Sequence, residues 1–407
     1  MLFRILLLLF VLLIAPDAYI YLRYVRRWTC SWLLRAATFV PTILLFIYML
    51  AVLSHDDMRV EHQPTVGLFM FIFLLYTAPR MLFTLFDIFG LIGWARYIRI
   101  FAMTVALFAV ILLGYGYLVG RSRFVVHQQT FYFPNLPKEF DGYRIAQFSD
   151  LHIGTFGDGH QDDVETIVQL INRQKCDAIL FVGDLVNFES RETDGYKQVL
   201  RSLEAPDGVY AVMGNHDYSM YIPAEQAVRQ ADIEELQRRE RSYGWTVLLN
   251  EHATIHRGSD SIAVVGSEND GTGRFPALGN LPLATAGLTH VMRNDTATAL
   301  KVVGEDTLAI PQDEHSFSIL LTHDPTHWRR NVIPDTRIDL TLSGHTHAGQ
   351  FKVFGWSPVT FVYGEWSGAY SEGNQLLNVS DGVGQVMFPF RFGAWPEINV
   401  ITLKRQK

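Results

Sequence analysis

Residues 2–22, 33–53, 66–85 and 100–119 are four apolar stretches, and no stretch like them occurs after residue 125. Each is close to the roughly 20 residues that an α-helix needs to cross about 30 Å of hydrocarbon. None alternates polar with apolar residues, which argues against strands of a closed barrel. The pattern therefore predicts a transmembrane region of about four helices over residues 1–122. The first stretch is the weakest, because Pro16 and Asp17 interrupt it. A signal peptide is the rival reading there, yet the chain runs on into Arg23, Arg26 and Arg27 without a small-residue cleavage site. Pro79 and Arg80, near the end of the third stretch, predict a kinked or short helix. Trp28, Trp32, Trp94 and Tyr97 fall at the expected interfaces, where amphipathic rings settle.

Orientation comes from the basic residues between helices. The first loop holds Arg23, Arg26, Arg27 and Arg35, and the third holds Arg96 and Arg99. The second holds Arg59 among Asp56, Asp57 and Glu61. Cytoplasmic loops are rich in Lys and Arg, so loops one and three are predicted to be cytoplasmic. The expected location is the cytoplasmic (inner) membrane, with everything after residue 125 on the extracytoplasmic side. Arg121 and Arg123 pull the other way, and loss of one helix would invert the arrangement.

Composition removes several function classes. The 34 Lys and Arg against 41 Asp and Glu leave a net charge of −7, the wrong sign for a general nucleic-acid binder, and none is expected as a partner. With 49% hydrophobic residues the chain is no disordered polyelectrolyte. Cys30 and Cys176 lie in segments of different character and do not make a disulfide framework.

The second part has the density of polar residues of a soluble domain. Residues 143–148, 178–182, 209–213, 246–249, 262–265, 317–321 and 339–342 are short apolar runs that predict strands. Val164, Ile167, Val168 and Ile171 recur at helical spacing over 162–174, and a charged helix is predicted over 224–243. Short apolar strands separated by helices imply an α/β domain whose strands are buried on both faces. The catalytic domain is expected over residues 140–407. Residues 270–314, rich in Gly, Pro, Thr and Asn, read as an insertion or lid.

The ends of these strands carry the chemistry, because ligands of open α/β sheets bind beyond the carboxyl ends of strands. Five of them end in metal-binding residue types: Asp150 and His152; Gly183 and Asp184; Gly214, Asn215, His216 and Asp217; His323 and Asp324; Gly344, His345 and His347. Carboxylates and an amide carbonyl offer oxygen, and imidazoles offer nitrogen, to borderline or hard divalent ions. Asp150, His152, Asp184, Asn215, His323, His345 and His347 are too many ligands for one tetrahedral ion. Two ions about 3.5–4 Å apart would use them all. Any one of these motifs alone would read as a turn; five in succession, each after an apolar strand, would not.

At these positions the sequence resembles the calcineurin-like metallophosphoesterase superfamily. The blocks that carry the resemblance are FSDLHIG (148–154), FVGDLVN (181–187), MGNHDY (213–218), LLTHDP (320–325) and LSGHTHAGQ (342–350), within about 140–403. The tail NVSDGVG (378–384) followed by Pro396-Glu397 resembles the membrane-anchored bacterial branch, the YkuE- and YaeI-like phosphodiesterases. Helices ahead of such a domain are similar to transmembrane proteins with a metallophosphoesterase domain. The resemblance implies a calcineurin-like α/β/β/α sandwich and two divalent metal ions (manganese, iron or zinc). It implies that Asp150, His152, Asp184 and His347 hold the first metal. Asp184, Asn215, His323 and His345 would hold the second, with Asp184 bridging. His216 would contact the phosphoryl group and protonate the leaving oxygen, and Asp217 would orient it.

The activity implied is hydrolysis of a phosphodiester or pyrophosphate bond by a metal-bridging hydroxide attacking in line. The substrate is a phosphate ester, a lipid-linked one among the candidates because the chain is anchored in membrane lipid. The alternatives are a phosphomonoesterase on soluble substrates and a non-catalytic membrane sensor or scaffold. A transporter is disfavoured, because Asp17, Arg80 and Asp87 are few and near helix ends. His252, His256, His315 and His327 read as surface or packing residues. Asp324 reads as a support for His323 or as a turn residue before Pro325. Asp381 is a weak candidate for a loop beside the site. Phe388, Phe390, Phe392 and Trp395 read as core rather than a groove, with a lipid-facing edge as the lesser reading. Ser343 lacks the Gly-x-Ser-x-Gly elbow of a nucleophile. The oligomeric state is not legible.

Overall fold

A computed structural model describes residues 2–54, 63–157, 161–293, 300–303, 306–309 and 315–406. The loop acids and Arg59 between the second and third stretches, and parts of the 270–314 insertion, lie outside these residues. The chain forms two compact units: residues 1–120 with 387–392, and residues 121–386 with 393–407.

The first unit is helical. Its main helices are α1 (Leu2–Ile20), α2 (Val40–Leu53), α3 (Gln63–Asp87) and α4 (Ala95–Leu118). Among the described residues three segments are long and apolar enough to cross a membrane, Trp32–Leu53, Gln63–Leu91 and Ala95–Ser122. A fourth crossing by α1 stays a proposal. Against the alternative of a short helix, α3 continues through Pro79 and runs for 25 residues. The acidic residues of the helices are buried and paired, as charge in hydrocarbon requires. Asp17 meets Arg80, Thr42 and Tyr76, and the Arg80 guanidinium lies 4.5 Å from the Tyr76 ring centre. Asp87 accepts from Tyr19 at 2.9 Å and pairs with Arg23 at 2.9 Å. Residues 387–392 pack within this unit: the Arg391 N–H donates to the Gly116 carbonyl at 3.2 Å, and Phe392 stands edge-on to Tyr115. Phe388 and Phe390 stack on each other there, while Trp395 belongs to the second unit, under the Arg123 guanidinium.

The strands of the second unit are β1 (Val125–Phe133), β2 (Arg144–Phe148), β3 (Ala178–Val182), β4 (Val209–Val212), β5 (Thr246–Val247), β6 (Glu251–Arg257), β7 (Asp260–Gly266), β8 (Leu300–Val303), β9 (Asp306–Ala309), β10 (Ser318–Leu321), β11 (Leu340–Ser343), β12 (Gly368–Glu372), β13 (Gln375–Val379) and β14 (Glu397–Arg405). One sheet has the order β1-β14-β2-β3-β4-β5, and a second β12-β13-β11-β10-β7-β6; β8 and β9 form a separate hairpin. The two-residue period of a strand explains how the sheets stack. In β3, Leu180 and Val182 enter a core shared with Ile319 and Leu321 of β10, while Ile179 and Phe181 face the opposite way. That outer face is covered by α5 (Gln161–Arg173) through Val164, Ile167, Val168 and Ile171, and by α6 (Gln226–Ser242) through Leu236. Leu320 of β10 turns to a third core with Trp328 and Val332 on the outside of the second sheet. The layers are thus α/β/β/α, and the fold is calcineurin-like.

Glu240 of α6 is fully buried, and neither carboxyl oxygen has a hydrogen-bond partner among the described residues. Burial, and next the charge of Asp217, pushes its pKa well above the usual carboxylate range. The folded state therefore keeps a proton that the unfolded chain loses above about pH 4.3. Stability contributed by this proton is present at low pH and falls as pH rises, by up to about 1.4 kcal/mol per unit, until the folded carboxyl ionises. Glu240→Met, of similar shape and without charge, is expected to raise the melting midpoint by several degrees at pH 8 and by less at pH 5. Differential scanning fluorimetry in detergent at the two pH values checks this; an equal or lower midpoint at pH 8 contradicts it.

Candidate metal centre

The candidate residues come together at one edge of the sandwich because each lies just beyond a strand whose neighbour it shares. β2, β3 and β4 are parallel in one sheet, and β10 and β11 are parallel in the other. Their carboxyl ends therefore open side by side. Backbone hydrogen bonds tie the loops together: Asp150 N–H donates to Gly183 O at 2.9 Å, His152 N–H to Asp184 O at 3.1 Å, and Gly344 N–H to His323 O at 3.0 Å.

Among the described residues three groups of side chains could each hold an ion, with ligand atoms within 4.8 Å of one another. They are Asp150, His152 and His347; His152, Asp184 and His216; and Asp184, His323 and His345. The groups overlap at His152 and Asp184. His323 Nε2 is 3.0 Å from Asp184 Oδ2 and 3.9 Å from Asp150 Oδ1, and His152 Nε2 is 3.1 Å from His347 Nε2. Asn215 belongs to the same loop cluster. Its Nδ2 donates to the Tyr221 hydroxyl at 3.2 Å, while its Oδ1 is buried without a hydrogen-bond partner among the described residues. A buried carbonyl oxygen without a donor costs about 1–3 kcal/mol, and a cation would satisfy it.

The backbone is strained where these side chains converge. Asp150 (φ 54°), His152 (44°), Asp184 (60°), His345 (74°) and His347 (50°) all occupy the left-handed region. Glycine would relieve that strain but supplies no ligand, and such strain concentrates at functional sites. Glycine is used instead where space is short. A Cβ on Gly214 would stand 2.2 Å from Asp184 Oδ1, and one on Gly344 would stand 2.4 Å from Asp150 Oδ2.

The electrostatics suit a cation. Burial pushes the Asp184 carboxyl up, but His323, His216 and His152 outweigh it and hold it well below the usual carboxylate range. Burial lowers His323, yet Asp184 and Asp150 outweigh it and push its pKa up to about 10. The field of the two buried carboxylates thus favours positive charge at this point. His345 is pushed down to about 4 by burial and by His323, so its imidazole is neutral and able to act as a ligand. Two carboxylates, four imidazoles and an orphaned amide oxygen fit a divalent pair of the borderline class.

His216 stands beside the cluster, half-buried, with its ring 4.8 Å from that of His152 and 4.5 Å from that of Tyr221. Its Nδ1 lies 2.7 Å from the Asn187 carbonyl oxygen. A carbonyl only accepts, so Nδ1 carries a proton and Nε2 is left to face a substrate. This corrects the expectation that Asp217 orients His216. The Asp217 carboxylate is turned the other way and accepts the N–H groups of Asp184, Leu185, Val186 and Gly214 at 2.8–3.2 Å. It holds the loop that carries Asp184, which is a positioning role. Asp217→Asn replaces an accepting oxygen by an NH2 donor that faces N–H donors. It is expected to weaken metal binding by roughly 10–100-fold, read by titrating the metal-depleted protein; unchanged affinity would remove that role.

The remaining candidates fall outside the cluster. Asp324 Oδ1 accepts from the backbone and hydroxyl of Thr326 at 2.8 and 2.7 Å, a turn rather than a support for His323. His327 is buried, between Thr322 Oγ1 at 2.8 Å and Asp270 at 3.2 Å. His315 pairs with Asp339, His252 faces the Ala284 carbonyl, and Asp381 takes Lys352 Nζ at 2.6 Å. Three residues of the site, Asn187, Tyr221 and Tyr363, are not among those singled out by sequence. Asn187 stands inside the FVGDLVN block, so its nearness was legible. Tyr363, whose hydroxyl is 2.8 Å from His345 Nε2, lies in no motif.

The family profile described as calcineurin-like phosphoesterase matches residues 143–349. An uncharacterized metallophosphoesterase YkuE of Bacillus subtilis is 31% identical over 300 residues, 72% of this chain and 90% of that one. An uncharacterized metallophosphoesterase of Aquifex aeolicus is 28% identical over 302 residues, 73% of this chain and 98% of that one. A transmembrane protein with metallophosphoesterase domain from Danio rerio is 27% identical over 279 residues, 66% of this chain and 55% of that one.

Proposed function

The chain belongs to the calcineurin-like phosphoesterase family, and from that premise we propose that it is a membrane-anchored, two-metal phosphoesterase cleaving phosphodiester or pyrophosphate bonds. The observation that carries the reading is a continuous chain of ligand groups: Asp184 joins His323 and His345 in one and His152 in another, and His152 also joins Asp150 and His347. Asp150, His152, Asp184 and His347 would hold one divalent ion. Asp184, Asn215, His323 and His345 would hold the other. Manganese, iron and zinc all match this mixture of oxygen and nitrogen donors. When bound, such a pair neutralises phosphoryl oxygens and makes a water acidic enough to attack near neutral pH.

The protein's own part is positioning and proton transfer. Asp184 is held as a carboxylate by its histidine neighbours, and the loops that carry Asp150, His152 and Asp184 are locked to one another by backbone bonds. His216, held through Nδ1 by the Asn187 carbonyl, presents Nε2 to the oxygen that departs from phosphorus. As an imidazolium it donates that proton while the carbonyl keeps the ring fixed. Asp217 keeps Asp184 in register by clamping four amides of the two adjoining loops.

The candidate substrates include lipid-linked phosphate esters, supported by the three helices able to span a bilayer. With α1 as the fourth crossing, the placement we propose is the cytoplasmic membrane with the catalytic domain outside, on the balance of Arg23, Arg26, Arg27, Arg35, Arg96 and Arg99 in the flanking loops. The test is to purify the full chain in detergent, measure metal by mass spectrometry, and monitor turnover of bis-(p-nitrophenyl) phosphate. About two ions per chain with metal-dependent turnover supports the reading. A metal-replete chain with no turnover of any diester, pyrophosphate or monoester supports a scaffold instead.

A further inference from the structure

We propose that the loop over residues 353–363 is a bilayer-insertion element that brings the metal centre to the head-group layer, which extends the lipid-linked reading above and rests on it. The segment, Val-Phe-Gly-Trp-Ser-Pro-Val-Thr-Phe-Val-Tyr, contains no charged residue. Its base is fixed to the candidate site. The buried Ser357 hydroxyl donates to the Ala348 carbonyl at 2.7 Å, and the Tyr363 hydroxyl meets His345 at 2.8 Å. Its tip is not covered. Phe354 is 104% exposed, Phe361 83%, Val362 74% and Trp356 47%.

Large apolar side chains grouped this way in a soluble domain mark an interaction surface. The tip is also built at a conformational cost. Val353 and Trp356 exchange both backbone hydrogen bonds, at 2.9 and 3.0 Å, around Phe354 and Gly355. Both turn residues have positive φ, 51° and 77°. Asn or Asp is preferred before Gly in such a two-residue turn, and a bulky residue is strained there. The sequence accepts that strain and places a phenylalanine at the extreme tip, with the Trp356 and Phe361 ring centres 6.1 Å apart behind it.

The occupant that suits this tip is the interface of a lipid bilayer. Three segments of the same chain are able to span one, and the last ends at Ser122, three residues before β1 begins. A bilayer is therefore permanently within tethering distance of the domain. Phe and Trp side chains on an uncharged segment partition into the boundary of head groups and acyl chains, to a depth of about 5–10 Å. Insertion would restrain the metal centre, whose His345 is tied to the loop's last residue, at the level of lipid phosphates.

The test uses the full-length protein with Cys30→Ser, reconstituted in vesicles of phosphatidylethanolamine and phosphatidylglycerol. A nitroxide is attached at Phe354→Cys and, as a water-facing reference, at Ser371→Cys on β12. Collision with oxygen against a water-soluble nickel chelate reports depth. The expected result is a label at 354 shielded from nickel by at least about tenfold relative to 371, a shielding that Phe361→Asp with Val362→Asp abolishes. Equal nickel access at both positions overturns the inference. Dipolar broadening between labels on two copies overturns it too, because the loop would then be a contact between chains. Turnover of bis-(p-nitrophenyl) phosphate by the same labelled samples reads the enzymatic proposal separately. A shielded label on a metal-replete protein that turns over neither this diester nor a pyrophosphate or monoester would retire the phosphoesterase reading and leave the membrane loop standing.

Discussion

Asp184→Asn is expected to leave the fold intact and to remove activity almost completely. The substitution keeps the size of the side chain and an oxygen able to accept the His216 N–H that Asp184 Oδ1 now receives at 2.8 Å. It deletes one of the two buried negative charges that make this point favourable for cations. Asp184 is also shared between the ligand groups, so its loss weakens both positions of the proposed pair. Removing one preorganised electrostatic partner costs an enzyme about 10²–10³ in rate. Loss of a shared ligand should exceed that, so turnover of a diester is expected to fall at least about a thousandfold. Bound metal should drop below two per chain, with a melting midpoint within a few degrees of the parent measured without metal. Metal content and turnover within about tenfold of the parent would refute the two-metal proposal. Glu240→Met, buried in the same domain but outside the cage, should keep full turnover. It therefore controls for the replacement of a buried acid elsewhere in the domain.

Much of the centre was legible because its residues sit at strand ends. A strand buried on both faces is written as an unbroken apolar run, as in residues 178–182, and the sheet then places the residues just beyond its end. Parallel pairing aligns the ends of β2, β3 and β4, and of β10 and β11, without help from the loops. Several strands escaped, and three of them, β1, β6 and β12, have weak apolar runs. β1 reads Val-Val-His-Gln-Gln-Thr-Phe-Tyr-Phe and pairs over nine residues with β14, so the sandwich begins at Val125, ahead of the predicted residue 140. β6 and β12 are edge strands, and β12 exposes alternate residues, so little in their composition distinguishes them from loops. The Asp217 role was misread because proximity in sequence to His216 suggested a contact. A short helical turn instead directs the two side chains apart, and backbone amides, which no sequence displays, claimed the carboxylate. Tyr363 was invisible for the same reason: the tertiary fold, and no motif, carries it to His345.

His216→Ala should lower turnover by about 10²–10⁴, the range typical of a positioned proton donor, and the size of the loss should depend on the leaving group. Its Nδ1 is engaged by the Asn187 carbonyl, so the ring has one nitrogen left for a substrate. If Nε2 protonates the departing oxygen, an alkoxide leaving group, which is a strong base, needs it most. A p-nitrophenolate leaves readily without help. The variant should therefore lose far more activity on an alkyl or glyceryl diester than on bis-(p-nitrophenyl) phosphate, while binding the same amount of metal as the parent. A simple structural or ligand role predicts otherwise, with equal losses on both substrates and a fall in metal content. His216→Asn adds a second comparison, since it can hydrogen-bond a phosphoryl oxygen without donating a proton to the leaving group. Recovery by His216→Asn of activity on the activated diester alone would separate substrate contact from proton transfer. Equal recovery on both esters would remove His216 from the acid role and leave it as a phosphate contact.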